Sequence, residues 1–327
     1  MDILKSYTGT LLGSAIGDAM GAPTEGLSPK EIFDRYGNVT SYIQATPDRR
    51  TSGLTPGQYT DDTEMTIAMA ESILACKGLD AEDLAKHFIK WYNSPGFSRS
   101  RGQTCERAGL ALSRGRSWYS SGIVGKAGCG TAMRAHPLGL IHDEYSLDQL
   151  TLDVYDASII THKDTRAVAG TAAVALSIIY LRAHKDTSDL IEFLTYFLPV
   201  VENYADKNLN TNPQDPLSKR ISRIPIYLAK SNPLIAVKDM GFTGYVNHVV
   251  PTAIFHFLKH PDNFLDAVAS AVNAGGDADS VACITGALSG AYLGEDSIPQ
   301  HLLTALEEKD KIKNLGINLL DMVNNHD

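Results

Sequence analysis

Tyr59-Thr60-Asp61-Asp62-Thr63-Glu64 sets two adjacent carboxylates among hydroxyls, directly before an apolar-periodic run of Met65, Ile67, Ala68, Met69, Ile73 and Leu74. The run predicts a helix over residues 63–77, so the acids stand at or just before its N-terminus. One reading is capping, in which a side-chain oxygen accepts an orphan backbone N–H and negative charge suits the positive end of the helix dipole. The other reading is a cation site. It gains weight from a second stretch, Asn273-Ala274-Gly275-Gly276-Asp277-Ala278-Asp279-Ser280, where carboxylates and a hydroxyl again open a long helix.

Working outward from these two mouths, helical patterns cover residues 3–20, 80–92, 103–114, 148–161, 165–184, 189–206, 217–229, 245–259, 263–274, 280–293 and 299–324. Strand alternation is weak throughout. An all-α fold of packed helices is expected, well outside the usual mixture of helix and strand. In the first helix Gly9, Gly13 and Gly17 recur at helical spacing, which lets another backbone come close. The glycines of Gly122-Ile123-Val124-Gly125-Lys126-Ala127-Gly128-Cys129-Gly130-Thr131 license unusual backbone angles or close approach of a ligand. Residues 36–58 read as irregular, and the polar segment 202–215 reads as a surface loop, so one domain over 1–327 is expected.

Composition excludes several classes. The chain has 29 basic and 38 acidic residues, a net charge of −9, and no long basic cluster, so general nucleic-acid binding is not expected. Cys76, Cys105, Cys129 and Cys283 are scattered without paired zinc-ligand spacing and read as free thiols of a cytoplasmic protein. The first twenty residues lack the unbroken apolar core of a signal peptide. No window of about eighteen uninterrupted apolar residues is present, so no ordinary membrane span is expected.

A hard divalent cation such as Mg²⁺ takes oxygen from carboxylates, hydroxyls and water. Thr60, Asp61 and Asp62 offer three such side chains, and Asp277, Asp279 and Ser280 offer three more. Together they suffice for two cations side by side, whose charge relieves the repulsion between neighbouring carboxylates. The second cluster lacks the spaced acids and terminal Glu of an EF-hand, and Met65 stands where an aspartate-rich diphosphate-binding helix would need an acid.

In order along the chain, Gly13-Ser14-Ala15-Ile16-Gly17-Asp18-Ala19-Met20-Gly21, Glu25, Tyr59-Thr60-Asp61-Asp62-Thr63, Gly130-Thr131-Ala132-Met133-Arg134, Pro137-Leu138-Gly139, Thr161-His162 and Gly275-Gly276-Asp277-Ala278-Asp279-Ser280 resemble the ADP-ribosylglycohydrolase family nearly end to end. The order of these motifs, with roughly 200 residues between the acidic clusters, makes the combination specific. The resemblance implies a compact orthogonal multi-helix bundle with a central binuclear metal cleft holding two Mg²⁺ or Mn²⁺ ions. It implies Thr60, Asp61, Asp62, Asp277, Asp279 and Ser280 as metal ligands, with Glu25 beside the metals and the ribose. The activity it implies is hydrolysis of the N- or O-glycosidic bond between ADP-ribose and an acceptor, either a protein side chain or a small ADP-ribose derivative.

In the expected mechanism the ions hold the ribose hydroxyls, and Asp62 or Glu25 deprotonates the water that attacks C1″. Gly128, Gly130, Thr131, Ala132 and Met133 are the candidates for the diphosphate; a tight turn without ligand is the alternative. His162 is either a diphosphate or ribose contact or a helix cap. Asp18 is expected to orient the ligands. Tyr59 or Trp118 either stacks on adenine or simply packs.

Two departures from the family pattern stand out. Ala278 and Ser280 occupy positions where members often have Thr; Ser280 keeps the hydroxyl. In Phe97-Ser98-Arg99-Ser100-Arg101-Gly102 there is no Asp just before the glycine, where arginine-specific relatives often carry one, so a ring-opening route and an arginine acceptor do not follow. The rival functions are a degenerate ADP-ribose-binding protein and a Mg²⁺-dependent phosphohydrolase of a nucleoside diphosphate derivative.

Overall fold

The computed structural model describes residues 2–94, 99–184, 186–230 and 233–325; Phe97 and Ser98 of the glycine-flanked loop lie outside them. The fold is all-α. Among the described residues there are eighteen α-helices, three short 3₁₀ turns and one pair of two-residue strands.

The site is positioned by the first helix, Ile3–Gly21, and the helix Ala278–Leu293. Asp2 starts the first, its side chain accepting the Leu4 N–H at 3.0 Å. Gly9, Gly13, Gly17 and Gly21 form a stripe at four-residue spacing that lies on Gly290, Gly286, Ala282 and Ala278 of the other helix, running antiparallel to it. The approach is backbone to backbone: a Cβ on Gly17 would fall 1.9 Å from the Ala282 carbonyl oxygen, and one on Gly13 2.2 Å from that of Gly286. Antiparallel packing brings the C-terminal end of the first helix, with Asp18 and the following Glu25, to the N-terminal mouth of the second, with Asp277, Asp279 and Ser280.

The helix Thr165–Ala183 runs through the interior and is long and apolar enough to span a membrane by length and composition. Its window is 83% buried inside the protein, so its apolar character is that of a core helix.

The elements differ from the sequence pattern at four places. Residues 29–36 form a helix, Pro29–Tyr36, started by a capping box in which Ser28 and Glu31 satisfy each other's backbone N–H. The stretch 217–229 is two helices, Leu217–Ile221 and Ile224–Leu228, the second opening on Pro225. The stretch 299–324 likewise divides into Gln300–Ala305 and Lys309–Asn324, because Glu308 takes a left-handed φ of 50° between them. A further helix, Pro233–Met240, opens the described segment 233–325.

Candidate active site

The helix Asp61–Cys76 begins at Thr60, whose side chain accepts from the Asp62 N–H, so capping is part of what this stretch does. The stronger anchor comes from outside the helix. Asp18, fully buried on the first helix, accepts from Thr60 N–H (3.0 Å), Thr60 Oγ1–H (2.8 Å), Thr63 N–H (3.0 Å) and Thr63 Oγ1–H (2.6 Å). This carboxylate at the helix N-terminus fixes the register of the two acids that follow. Burial nonetheless raises the Asp18 carboxyl to about 6.

The second mouth depends on two consecutive left-handed glycines. Gly275 (φ 72°) and Gly276 (φ 73°) have no room for side chains: a Cβ would meet Leu27 O at 2.2 Å or Phe242 O at 2.5 Å respectively. Gly276 N–H donates to Leu27 O at 2.9 Å and Gly26 N–H donates to Gly276 O at 2.6 Å, which ties the Glu25 loop to the Asp277 turn. Ligand atoms of Glu25, Asp277 and Asp279 consequently lie within 4.8 Å of one another.

These acids share a cavity of about 190 Å³ with Asp61, Asp62 and Ser280. Asp61 Oδ2 accepts the Gly102 N–H at 3.0 Å, and its own N–H donates to Arg99 O at 3.0 Å. Glu25 accepts from the Ser100 hydroxyl at 2.9 Å. Asp279 Oδ1 accepts the Ser280 N–H at 2.9 Å. Asp62 differs: its Oδ2 is buried without a hydrogen-bond partner. Burial, reinforced by the neighbouring carboxylates, pushes Asp61, Asp62 and Asp279 well above the usual carboxylate range, and burial lifts Asp277 to about 6.

An orphaned carboxylate oxygen among several repelling carboxylates fits a cation. The donor chemistry is that of a hard divalent ion, and Asp61, Asp62, Asp277, Asp279, Glu25 and the Ser280 hydroxyl are the groups that would hold it. Thr60 does not line the cavity. Its proton is committed to Asp18, so only its lone pairs would serve a cation.

The glycine loop forms the opposite wall. Ile123 and Val124 pair in parallel with His162 and Lys163, two-residue strands too short to leave an alternating pattern in the sequence. Cys129 N–H donates to Gly244 O, and Val246 N–H to Ala127 O, both at 2.9 Å. Gly128, Gly130, Met133 and His162 line the cavity. Thr131 and Ala132 do not; they are buried in the 3₁₀ turn Cys129–Arg134, where the Thr131 hydroxyl donates to Ala167 O at 2.9 Å.

Burial pushes His162 down to about 3, so it is neutral at physiological pH. Its Nδ1 lies 2.8 Å from Thr161 Oγ1, which already accepts from Arg134 at 2.8 Å. The other ring nitrogen, Nε2, faces Gly128 and Gly130. Trp118 packs edge-to-face on Tyr119 at 5.8 Å, and the Tyr59 hydroxyl donates to Glu308 at 2.6 Å; neither lines this cavity.

Several contributors were not legible as site residues. Ser100 and Gly102 reach Glu25 and Asp61 from far along the chain, and Ser100 holds a left-handed φ of 61° to do so. Arg101 turns away, donating to Trp91 O at 2.9 Å and lying over the Trp91 ring at 4.5 Å. Arg50 lines the cavity and bonds to Arg101 O at 3.2 Å. Cys129, inside the glycine motif, touches Asp277.

The protein is an all-helical bundle with a carboxylate-lined cavity between two helix mouths, and comparison with known proteins gives its class. The chain belongs to the ADP-ribosylglycohydrolase family, which it matches over residues 1–327. It is 29% identical to the ADP-ribosylhydrolase ARH3 of Danio rerio, covering 98% of this chain and 91% of that one. It is 28% identical to the ADP-ribosylarginine hydrolase Tri1 of Serratia proteamaculans, covering 99% and 81%. A solved structure described as an ADP-ribosylglycohydrolase-related protein complex superposes with a TM-score of 0.75 at 26% identity, covering 98% of this chain and 99% of that one.

Proposed function

We propose that the protein is a divalent-metal-dependent hydrolase that cleaves the glycosidic bond between ADP-ribose and an N- or O-linked acceptor, releasing ADP-ribose. The acceptor is an ADP-ribosylated protein side chain or a small ADP-ribose derivative. The observation that carries this reading is the convergence of five carboxylates on one small cavity, with Asp62 Oδ2 left unpaired.

Two Mg²⁺ or Mn²⁺ ions held by these groups would polarise ribose oxygens and acidify the attacking water. Glu25, half-buried and braced by Ser100, or Asp62, through its free Oδ2, takes the proton of that water. His162, neutral and aimed across the glycine loop, presents Nε2 to the substrate. The backbone of Gly128 and Gly130, with Met133 beside it, borders the more distant part of the nucleotide. At about 190 Å³ the cavity suits a ribose and leaves the rest of ADP-ribose at its mouth. The family match over the full chain supports a single domain, and the four free cysteines support a cytoplasmic location.

Incubating the Mg²⁺-loaded protein with Ser-linked, Arg-linked and O-acetyl ADP-ribose tests the reading through its products. Free ADP-ribose from at least one of them is expected. AMP would transfer the protein to the phosphohydrolases, and no product from any would make it a binding protein.

A further inference from the structure

The proposed reaction leaves Cys129 unused, although its side chain lines the acidic cavity and is only half-buried. Its Sγ lies 3.0 Å from Asp277 Oδ2 and 3.6 Å from Ser280 Oγ. The main chain holds it there through the Cys129 N–H to Gly244 O bond of 2.9 Å, between two glycines that bring the loop against His162. A second observation points to a ligand at the same place. Asp62, 3% exposed and lining the same cavity, has an Oδ2 with no partner.

The spacing has chemical meaning. In a tetrahedral site with metal–sulfur and metal–oxygen bonds of about 2.3 and 2.1 Å, the sulfur–oxygen edge is about 3.6 Å. Cys129 Sγ and Ser280 Oγ already stand at that separation, and Asp277 Oδ2 is about half an ångström short of it. A thiol in an otherwise all-oxygen set changes which cation is preferred, because thiolate favours softer ions over Mg²⁺.

We infer that Cys129 makes this cavity a mixed sulfur–oxygen site that captures a thiophilic divalent cation of the Zn²⁺ or Cd²⁺ class through Sγ and the Asp277 carboxylate, in competition with the hard cation of the reaction. The thiol proton passes to solvent as sulfur coordinates. The inference rests on the reading of the acidic cavity as a cation site. Cys105 also lines the cavity, but it is buried against the Arg134 guanidinium at 3.7 Å and serves as the control thiol.

The test titrates Cd²⁺ into the full-length metal-free protein while following the ultraviolet sulfur-to-cadmium charge-transfer absorption, with Mn²⁺ binding measured by calorimetry on the same preparations. The band should rise in the wild type and in Cys105→Ser and be absent in Cys129→Ser, whose Cd²⁺ affinity should fall roughly tenfold or more. Cadmium NMR of the wild type, which needs no variant, should report a sulfur-containing coordination shell. Mn²⁺ binding together with Cd²⁺ bound through oxygen alone, or a band that persists in Cys129→Ser, overturns this inference and leaves the cation site standing. Failure of both Mn²⁺ and Cd²⁺ to bind overturns the two together.

Discussion

Asp62 concentrates the chemistry of the site. Asp61 is steadied by the Gly102 N–H, Asp279 by the Ser280 N–H and Asp277 by the Cys129 thiol, while Asp62 keeps one buried oxygen with no donor at all. A buried carboxylate oxygen without a donor is costly in the metal-free protein, and in the proposed reaction the same atom serves as proton acceptor or metal ligand. Asp62→Asn should therefore separate stability from activity. In chelator at pH 8 the variant should melt at a higher temperature than wild type, whereas ADP-ribose release in Mg²⁺ should fall by about 10²–10⁴-fold. Thermal melts and product release on the same preparations check both halves. His162 occupies the opposite position in this logic, since burial keeps it neutral rather than charged at physiological pH.

Two helix mouths are held to sub-ångström demands by packing some distance from the chemistry. Asp18 reaches across from the first helix and gathers four donors from Thr60 and Thr63. Asp18→Asn would set amide protons against some of those donors. The expected result is metal affinity reduced by roughly 10–100-fold with helical circular dichroism unchanged, measured by Mn²⁺ calorimetry. Gly17 acts through proximity instead. A methyl at Gly17 would meet the Ala282 carbonyl oxygen at 1.9 Å, so the helices must separate. Gly17→Ala should cost about 1–3 kcal/mol or more in denaturant unfolding and should weaken turnover by shifting Asp18 away from Thr60.

The glycine stripe and the two acidic helix starts were readable because each is a local pattern with a physical meaning: four-residue spacing for close helices, and carboxylate with hydroxyl for a mouth. The Pro29–Tyr36 helix carries a local signal as well, the Ser28-Pro29-Lys30-Glu31 capping box. The clasp of Ser100 on Glu25 had none, since nothing local in a sequence reports a contact between residues 75 positions apart. Thr131 and Ala132 share the glycine motif, but the 3₁₀ turn directs them into the core.

For the protein as a unit, the buried acids link folding, protons and metal. An unfolded Asp titrates near 3.9, whereas Asp18 and Asp277 are raised to about 6 and Asp61, Asp62 and Asp279 well above their usual range. At these carboxyls the native state therefore holds more protons than the unfolded chain between the unfolded and folded values, and they make the metal-free protein less stable as pH rises through their folded values. His136, His162 and His256 are pushed down to about 3, and their contribution has the opposite sign, lost as pH falls below about 6.5. A difference measurement separates the two. The stabilisation produced by a fixed concentration of free Mn²⁺ depends on the carboxylates and should grow between about pH 5 and pH 8. Melting with and without metal across that range checks it, and an increment independent of pH would speak against a carboxylate site.

In the proposed function, acids from three separate segments form one metal-dependent centre for ADP-ribose release. Its most direct test adds Mn²⁺ stepwise to metal-free wild type, Asp62→Asn and Asp277→Asn, and reads bound metal and released ADP-ribose in the same samples. Release in the wild type should rise in step with bound metal, and both variants, one from each helix mouth, should lose it together. Release that persists in chelator, or that survives in either variant at full metal, would contradict it.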